Sequence, residues 1–328
     1  MRNNANLNGL MMAASLYAQM QTEFRSGNLR SAESLCEDGL GRYSSEESLE
    51  WNWWFRIGKS EALRQQGYIK QAWVWVANDP PEHLASVELR ATYLMCRGYL
   101  CCAQANYAEC KALLDQASTL GVESLSGEIS LRRGTLFFRL RDLNGAAASF
   151  QAAVDTATRS NDTYLEGLAL GGLGKIRREM GSTKMAIFDL ERAIAISQAA
   201  GARFVTGAVL TELAYTHYLL KDYEQAFGLY TQSARLLGEI GARLHFQVAL
   251  GDLGNIYLRR DDYVKAADHY REALAISREL DDPFFIAKWL RNLENVAFKT
   301  SDPIAAARYR SEWESIDRRL AAAREAAK

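Results

Sequence analysis

Proline is scarce in this chain, with four in 328 residues. Each interior proline would remove a backbone N–H and clash with the preceding helical turn, so little here interrupts helix formation. Charge of either sign is not in excess: 39 Lys and Arg stand against 40 Asp and Glu. No net field exists to draw the protein onto nucleic acid or an anionic membrane, and neither is an expected partner. Nowhere do 18 apolar residues run together, and the start, MRNNANLNGLMMAASL, is too polar and too short in apolar run for a secretory leader. A cytoplasmic location is the expectation. Cysteines are few and odd in number, Cys36 alone and Cys96, Cys101, Cys102 and Cys110 together. That is not the disulfide framework of a small secreted domain, and reduced thiols follow.

What the chain does have is Ala, Leu, Glu and Arg in abundance, with 48% hydrophobic residues against 24% charged. The composition favours long helices with enough apolar surface to order them. The clearest unit is LGDLGNIYLRRDDYVKAADHYREAL, residues 250 to 274. Leu253, Tyr257 and Leu258 share one side of a first helix, Asp261 and Asp262 make a turn, and Ala266, Tyr270 and Ala273 recur at helical spacing on a second. Gly254 and Ala266 mark the close crossing, with the Tyr257 and Tyr270 rings filling the space beside it.

Stepping this pattern along by 36 to 40 residues places the second-helix anchor at Ala32, Ala72, Cys110, Ala146, Ala186, Ala226, Ala266 and Ala306. The first-helix small residue recurs at Gly98, Gly134, Gly174, Ala214 and Gly254. A later second-helix position repeats as Ala117, Ala153, Ala193, Ser233 and Ala273. A fixed period with short polar turns predicts an all-α solenoid, an α-α superhelix of about eight helix pairs, running as one domain over 1–328. Within it, 1–48 reads as an atypical capping repeat, 49–285 as the central repeats and 286–328 as the last repeat with a capping helix. The small first-helix residue is replaced by Met20, Ser60 and Glu294 in the first, second and last pairs.

These residues resemble the tetratricopeptide repeat family, in its longer form of about 40 residues per repeat. The strings WNWWFRIGKSEAL, NDPPEHLAS and GEISLRRGTL further resemble the amino-terminal repeat region of bacterial proteins carrying a caspase-like CHAT protease domain. This second resemblance implies a sensor or regulatory region whose partner or effector is such a protease. The protease itself is not in this sequence: a caspase-like dyad needs a His followed by small residues, whereas His83, His217, His245 and His269 precede Leu, Tyr, Phe and Tyr.

Chemistry is otherwise hard to seat. The cysteine group has soft metal ligands, but its members fall on helical positions where buried Cys packs as a small hydrophobe. GLALGGLGK, residues 167 to 175, has the glycines of a phosphate loop without its spacing, and lies in register with a first helix. Trp51, Trp53, Trp54, Phe55, Trp73 and Trp75 crowd the second pair, mostly as core, with one or two rings expected to face outward. No catalytic residue, metal or cofactor is assigned, and an enzyme is not expected.

The remaining candidates are first-helix positions facing away from the core, which in the resembled family line a concave groove. They read Arg132, Thr135 and Arg139; Lys175, Arg178 and Glu179; Glu212, Tyr215 and Tyr218; Asp252, Asn255 and Arg259; and Arg291, Asn292, Asn295 and Lys299. Asn side chains both donate and accept and so suit a peptide backbone, while Arg suits carboxylates. The expected function is a scaffold that holds a protein or peptide ligand in this groove. The alternative is a peptide- or small-ligand-responsive bacterial signalling receptor, although no helix-turn-helix distinct from the repeats accompanies it.

Overall fold

The backbone enters the left-handed region at Gly121, Arg141, Asn161, Gly181, Gly201, Lys221, Gly241, Asp261, Asp281 and Ser301, each twenty residues beyond the last. Such residues end helices, because a positive φ turns the chain off the helical axis while its N–H still reaches back to the last turn. In the computed structural model they separate successive helices, and the seven between Thr163 and Lys299 are each 17 residues long. The structure describes residues 2–45, 48–81, 83 and 86–326.

Sixteen helices are formed among the described residues, and no strand. They pair in chain order as α1 (Arg2–Ser26) with α2 (Leu29–Arg42), α3 (Leu49–Gln66) with α4 (Ile69–Trp75), α5 (Val87–Ala103) with α6 (Tyr107–Thr119) and α7 (Ser126–Arg139) with α8 (Leu143–Ser160). The series continues as α9 (Thr163–Glu179) with α10 (Thr183–Ala199), α11 (Arg203–Leu219) with α12 (Tyr223–Glu239), α13 (Arg243–Arg259) with α14 (Tyr263–Glu279) and α15 (Pro283–Lys299) with α16 (Pro303–Ala326). The fold is the expected all-α solenoid of helix pairs. It divides into two compact units, residues 1–212 and 213–328, with α11 contributing to both.

The anchors occupy one equivalent place in every pair. The N–H of Ala32, Ala72, Cys110, Ala146, Ala186, Ala226, Ala266 and Ala306 donates to the carbonyl of the residue four earlier, which caps the second helix. All eight anchors are 1% exposed or less. A small side chain is needed there because the two helices cross at this turn. A Cβ on Gly134 would lie 2.9 Å from the Phe150 ring, one on Gly174 2.7 Å from Leu190, and one on Gly254 2.7 Å from the Tyr270 ring. Aspartate caps fix where four of the second helices start: Asp142, Asp222, Asp262 and Asp302 accept from the N–H three residues on. The substituted pairs find other fillers. Ser60 is fully buried and accepts from the Cys96 thiol at 3.4 Å, and Glu294 accepts from Arg310 Nε and Trp313 Nε1, each at 2.6 Å.

A second set of glycines, unmarked by the repeat pattern, packs between successive first helices. Cβ atoms on Gly127, Gly171 and Gly251 would meet Leu165 at 2.7 Å, Val209 at 2.8 Å and the Trp289 ring at 2.2 Å. Trp53 is buried and meets Tyr93 edge-on at 5.8 Å, whereas Trp54, Trp73 and Trp75 are half-buried against the same cluster.

At Arg141 the exposed side chain sits at φ 65°, where an L-residue is crowded by its own Cβ at a cost of roughly 1–2 kcal/mol. Arg141→Gly is expected to stabilise unit 1 by about 0.5 kcal/mol, the strain relieved less the added disorder of glycine in the unfolded chain. Equilibrium urea unfolding checks it, with Arg141→Ala expected to bring no gain.

Candidate functional site

In unit 1 the inward faces of the first helices meet their own side chains. Arg25 at the end of α1 holds Asp162, the cap of α9, through two hydrogen bonds of 3.1 and 3.0 Å. Gln65 of α3 donates to the Tyr164 hydroxyl of α9 at 2.8 Å. Between these lies a charged cluster. Glu61 accepts from Arg64 at 2.7 Å and from Arg132 of α7 at 3.3 Å. Both guanidinium groups stand over the Tyr99 ring, 4.3 and 4.9 Å from its centroid. Burial alone would raise the Glu61 carboxyl, but Arg132 and Arg64 outweigh it and hold its pKa at about 2.

The candidates in this unit therefore differ in what they offer. Arg132 is 13% exposed and already ion-paired. The Thr135 hydroxyl donates back to the Leu131 carbonyl at 3.2 Å. Arg139 is exposed. Lys175 bonds Glu212 at 2.9 Å and sits 4.9 Å from the Phe138 ring centroid. Arg178, read from its register as facing away from the core, is buried instead. It reaches the Glu212 carboxylate at 2.9 Å and the Glu212 carbonyl at 3.1 Å, which draws it down between α9 and α11. Glu179 lies 3.4 Å from Arg178. Burial opposes ionisation of Glu212, yet Lys175 and Arg178 together hold it at about 2.

Unit 2 arranges its candidates more openly. Tyr215 is exposed and stacks on Tyr218 at 6.4 Å and 12°. The Tyr218 hydroxyl accepts from Arg259 Nε at 3.2 Å, and Arg259 is otherwise exposed. Asn255 is held on every side: its amide donates to Asp252 at 3.1 Å, and its oxygen accepts from the Tyr270 hydroxyl at 2.8 Å and from Asn292 at 3.3 Å. Asp252 is buried, with Lys288 at 3.5 Å. Arg291 pairs with Asp317 and lies over the Trp313 ring at 4.7 Å. Asn295 and Lys299 are exposed on α15. Arg259 and Lys299 hold the same place in successive pairs, five residues after Gly254 and Glu294.

Glu61, Arg64, Gln65, Tyr99 and Tyr164 are not among the sequence candidates. A signal for two of them exists: Glu61 and Tyr99 stand one residue after Ser60 and Gly98, the place held by Thr135, Lys175, Tyr215, Asn255 and Asn295 in later pairs. Nothing local marks Tyr164 or Gln65, whose partners lie 99 residues apart. Among the described residues no three His, Cys, Asp or Glu side chains gather closely enough for a metal ion, and no helix is long and apolar enough to cross a membrane.

Residues 205–279 match the tetratricopeptide repeat family model. No curated protein matches the chain in sequence. Among solved structures, a Rap protein complexed with competence and sporulation factor is similar over 95% of this chain and 99% of its own, at 14% identity and a TM-score of 0.66. NprR in complex with its cognate peptide NprX is similar over 88% of this chain and 84% of its own, at 14% identity and a TM-score of 0.59. A Pyrococcus horikoshii signal-transduction ATPase with a tetratricopeptide repeat sensor covers 86% of this chain by 43% of its own, at 17% identity and a TM-score of 0.55. At these identities the likeness establishes a shared fold.

Proposed function

We propose that the protein is a binding scaffold which holds an extended peptide segment of a partner on the inward face of α13 and α15 in unit 2. The observation that carries this reading is the pair Arg259 and Lys299: both are exposed, and neither has a carboxylate partner among the described residues. One helical turn before Lys299, the exposed Asn295 offers donors and an acceptor to a peptide backbone, and the network around Asn255 holds the neighbouring surface rigid. Two exposed cations, one of them, Arg259, against the stacked Tyr215–Tyr218 pair, suit an acidic segment with an apolar or aromatic residue next to it. NprR, a solved neighbour of the same fold, is complexed with its cognate peptide, which supports this class of ligand.

A second reading is a peptide-responsive signalling receptor, favoured by NprR being a quorum sensor. In either reading a CHAT-type protease is a candidate effector on the strength of the sequence resemblance, and the cytoplasm is the proposed setting.

The test is selection of binders from a displayed peptide library, followed by fluorescence polarisation. Arg259→Glu with Lys299→Glu is expected to weaken selected acidic peptides more than tenfold, since a charge-assisted hydrogen bond contributes about 1.5–3 kcal/mol. Asn295→Ala should cost a smaller factor. Equal affinity in the double variant, with helicity intact, sinks the proposal.

A further inference from the structure

The first helices of unit 1 pack in succession, α1 on α3, α3 on α5, α5 on α7 and α7 on α9. The series also closes across its inward side. Arg25 of α1 holds Asp162 at the start of α9, the Phe24 ring lies 6.4 Å from that of Tyr164, and Gln65 of α3 reaches the Tyr164 hydroxyl. The inward faces therefore surround one interior, and these crossings bar an extended chain from lying along it. The charged side chains that line it, Glu61, Arg64, Glu128 and Arg132, are half-buried, so solvent still reaches them. Three polar groups in this interior lack protein partners. Gln65 is 2% exposed, and its Oε1 accepts no hydrogen bond. Turned over, the same amide would accept from Tyr164 and leave its NH2 unmatched, so one polar atom of Gln65 is left over either way. Arg132 Nε is buried without an acceptor. Glu128 stands one turn before Arg132 on the same face of α7 and makes no hydrogen bond or ion pair among the described residues.

We infer that the interior of unit 1 binds a free α-amino acid, its carboxylate on Arg132 Nε and its ammonium on Glu128 and the Gln65 oxygen. Buried polar groups are matched in native proteins as a rule, and unmatched ones call for a partner. The charges are left over in the same pattern. Glu61 sets one negative charge against the guanidinium groups of Arg64 and Arg132, which leaves one positive charge unbalanced. Glu128 leaves one negative charge unbalanced. Burial raises its carboxyl, and Glu61 and Asp162 add to that against Arg132 and Arg25, so its ionised form is short of a cation. One helical turn separates Glu128 from Arg132 by about 6 Å along the axis. The ammonium and carboxylate carried by a single α-carbon span that gap with a charge-assisted hydrogen bond at each end. An internal peptide segment carries neither charge on its backbone, so this ligand differs from the one proposed for unit 2.

The experiment titrates the full chain by calorimetry with the protein amino acids as free monomers, taken to millimolar concentration. At least one is expected to bind at a single site. Its N-acetyl derivative, which lacks the ammonium, and its amide, which lacks the carboxylate, should each bind more than tenfold more weakly. Glu128→Gln keeps the shape of a side chain that makes no hydrogen bond, so the fold is retained, and the variant should lose more than tenfold in affinity. Arg132→Lys keeps the positive charge beside Glu61 but has no Nε, and should lose as much. Circular dichroism checks that both variants stay helical. Arg259→Glu with Lys299→Glu should bind the amino acid as the wild type does, which separates this site from the peptide surface of unit 2. Absence of binding by every monomer, equal affinity of the blocked derivatives, full affinity in Glu128→Gln, or loss of binding in the double variant of unit 2 would each overturn the inference.

Discussion

Glu61→Gln is expected to cost unit 1 about 3 kcal/mol of stability, read as a lower urea midpoint at pH 7. The side chain is 15% exposed, and the two arginines it serves are 12% and 13% exposed. The isosteric amide keeps the volume and can still accept a hydrogen bond. What it removes is the charge that two neighbouring guanidinium groups were buried against, and an uncompensated buried charge is costly. The same physics fixes the pH dependence. An unfolded glutamate titrates near 4.3, while Glu61 and Glu212 titrate at about 2 in the fold. Their contribution is complete above the unfolded value and is lost as pH falls from about 5 towards 2, at about 3 kcal/mol for each. Glu128 and Asp189, both raised by burial, oppose this slope in part. Wild type and Glu61→Gln should therefore converge in stability at pH 2. A constant gap across the acid range would show that the loss came from packing and not from the charge.

Gly251→Ala carries the second large effect, a loss of about 2 kcal/mol in unit 2. Helix propensity favours the change by roughly 1 kcal/mol, so the sign rests on what the new methyl meets. It would lie 2.2 Å from the Trp289 ring. That ring has no surface exposed and no easy way to withdraw. Its Nε1 donates to Gln247 at 2.5 Å, its faces stack near Tyr270 and Phe285, and Lys288 stands 4.2 Å from it. Ser277 donates to the same Gln247 oxygen at 2.6 Å, so moving the ring disturbs a buried network as well. Overpacking of this kind costs roughly 1–3 kcal/mol or more. Gly228, with nothing within 4 Å of its Cβ position on α12, is the control. Gly228→Ala should stabilise the same unit by about 1 kcal/mol. A double-mutant cycle with Trp289→Leu should show coupling above 1 kcal/mol; additive losses would remove the ring as the cause.

Much of the architecture could be read from residue order alone. The eight small anchors, the polar turns and the helix pairing are local properties, because a hydrophobic period, a cap and a left-handed turn residue act within about one repeat. The atypical Ser60 and Glu294 were visible as departures, and the structure supplies their fillers.

The candidate surface was legible only in part, and the reason is distance along the chain. Register tells which side chains leave a first helix on its inward face; it does not tell what they meet. Arg132 and Glu61 are 71 residues apart and Arg25 and Asp162 are 137 apart, so the filling of the inward face of unit 1 is invisible to any repeat-length window. Arg178 has the register of that same face, and its bonds to Glu212 bury it between α9 and α11. Gly251 is in sequence one small residue among many, and only folding sets Trp289, 38 positions later, against it. The sequence by itself thus determined the hairpins and their period, since those depend on neighbours. Only the tertiary structure decided which charges are neutralised, which glycines are required and which of the inward side chains still face solvent, since those depend on groups brought together by folding.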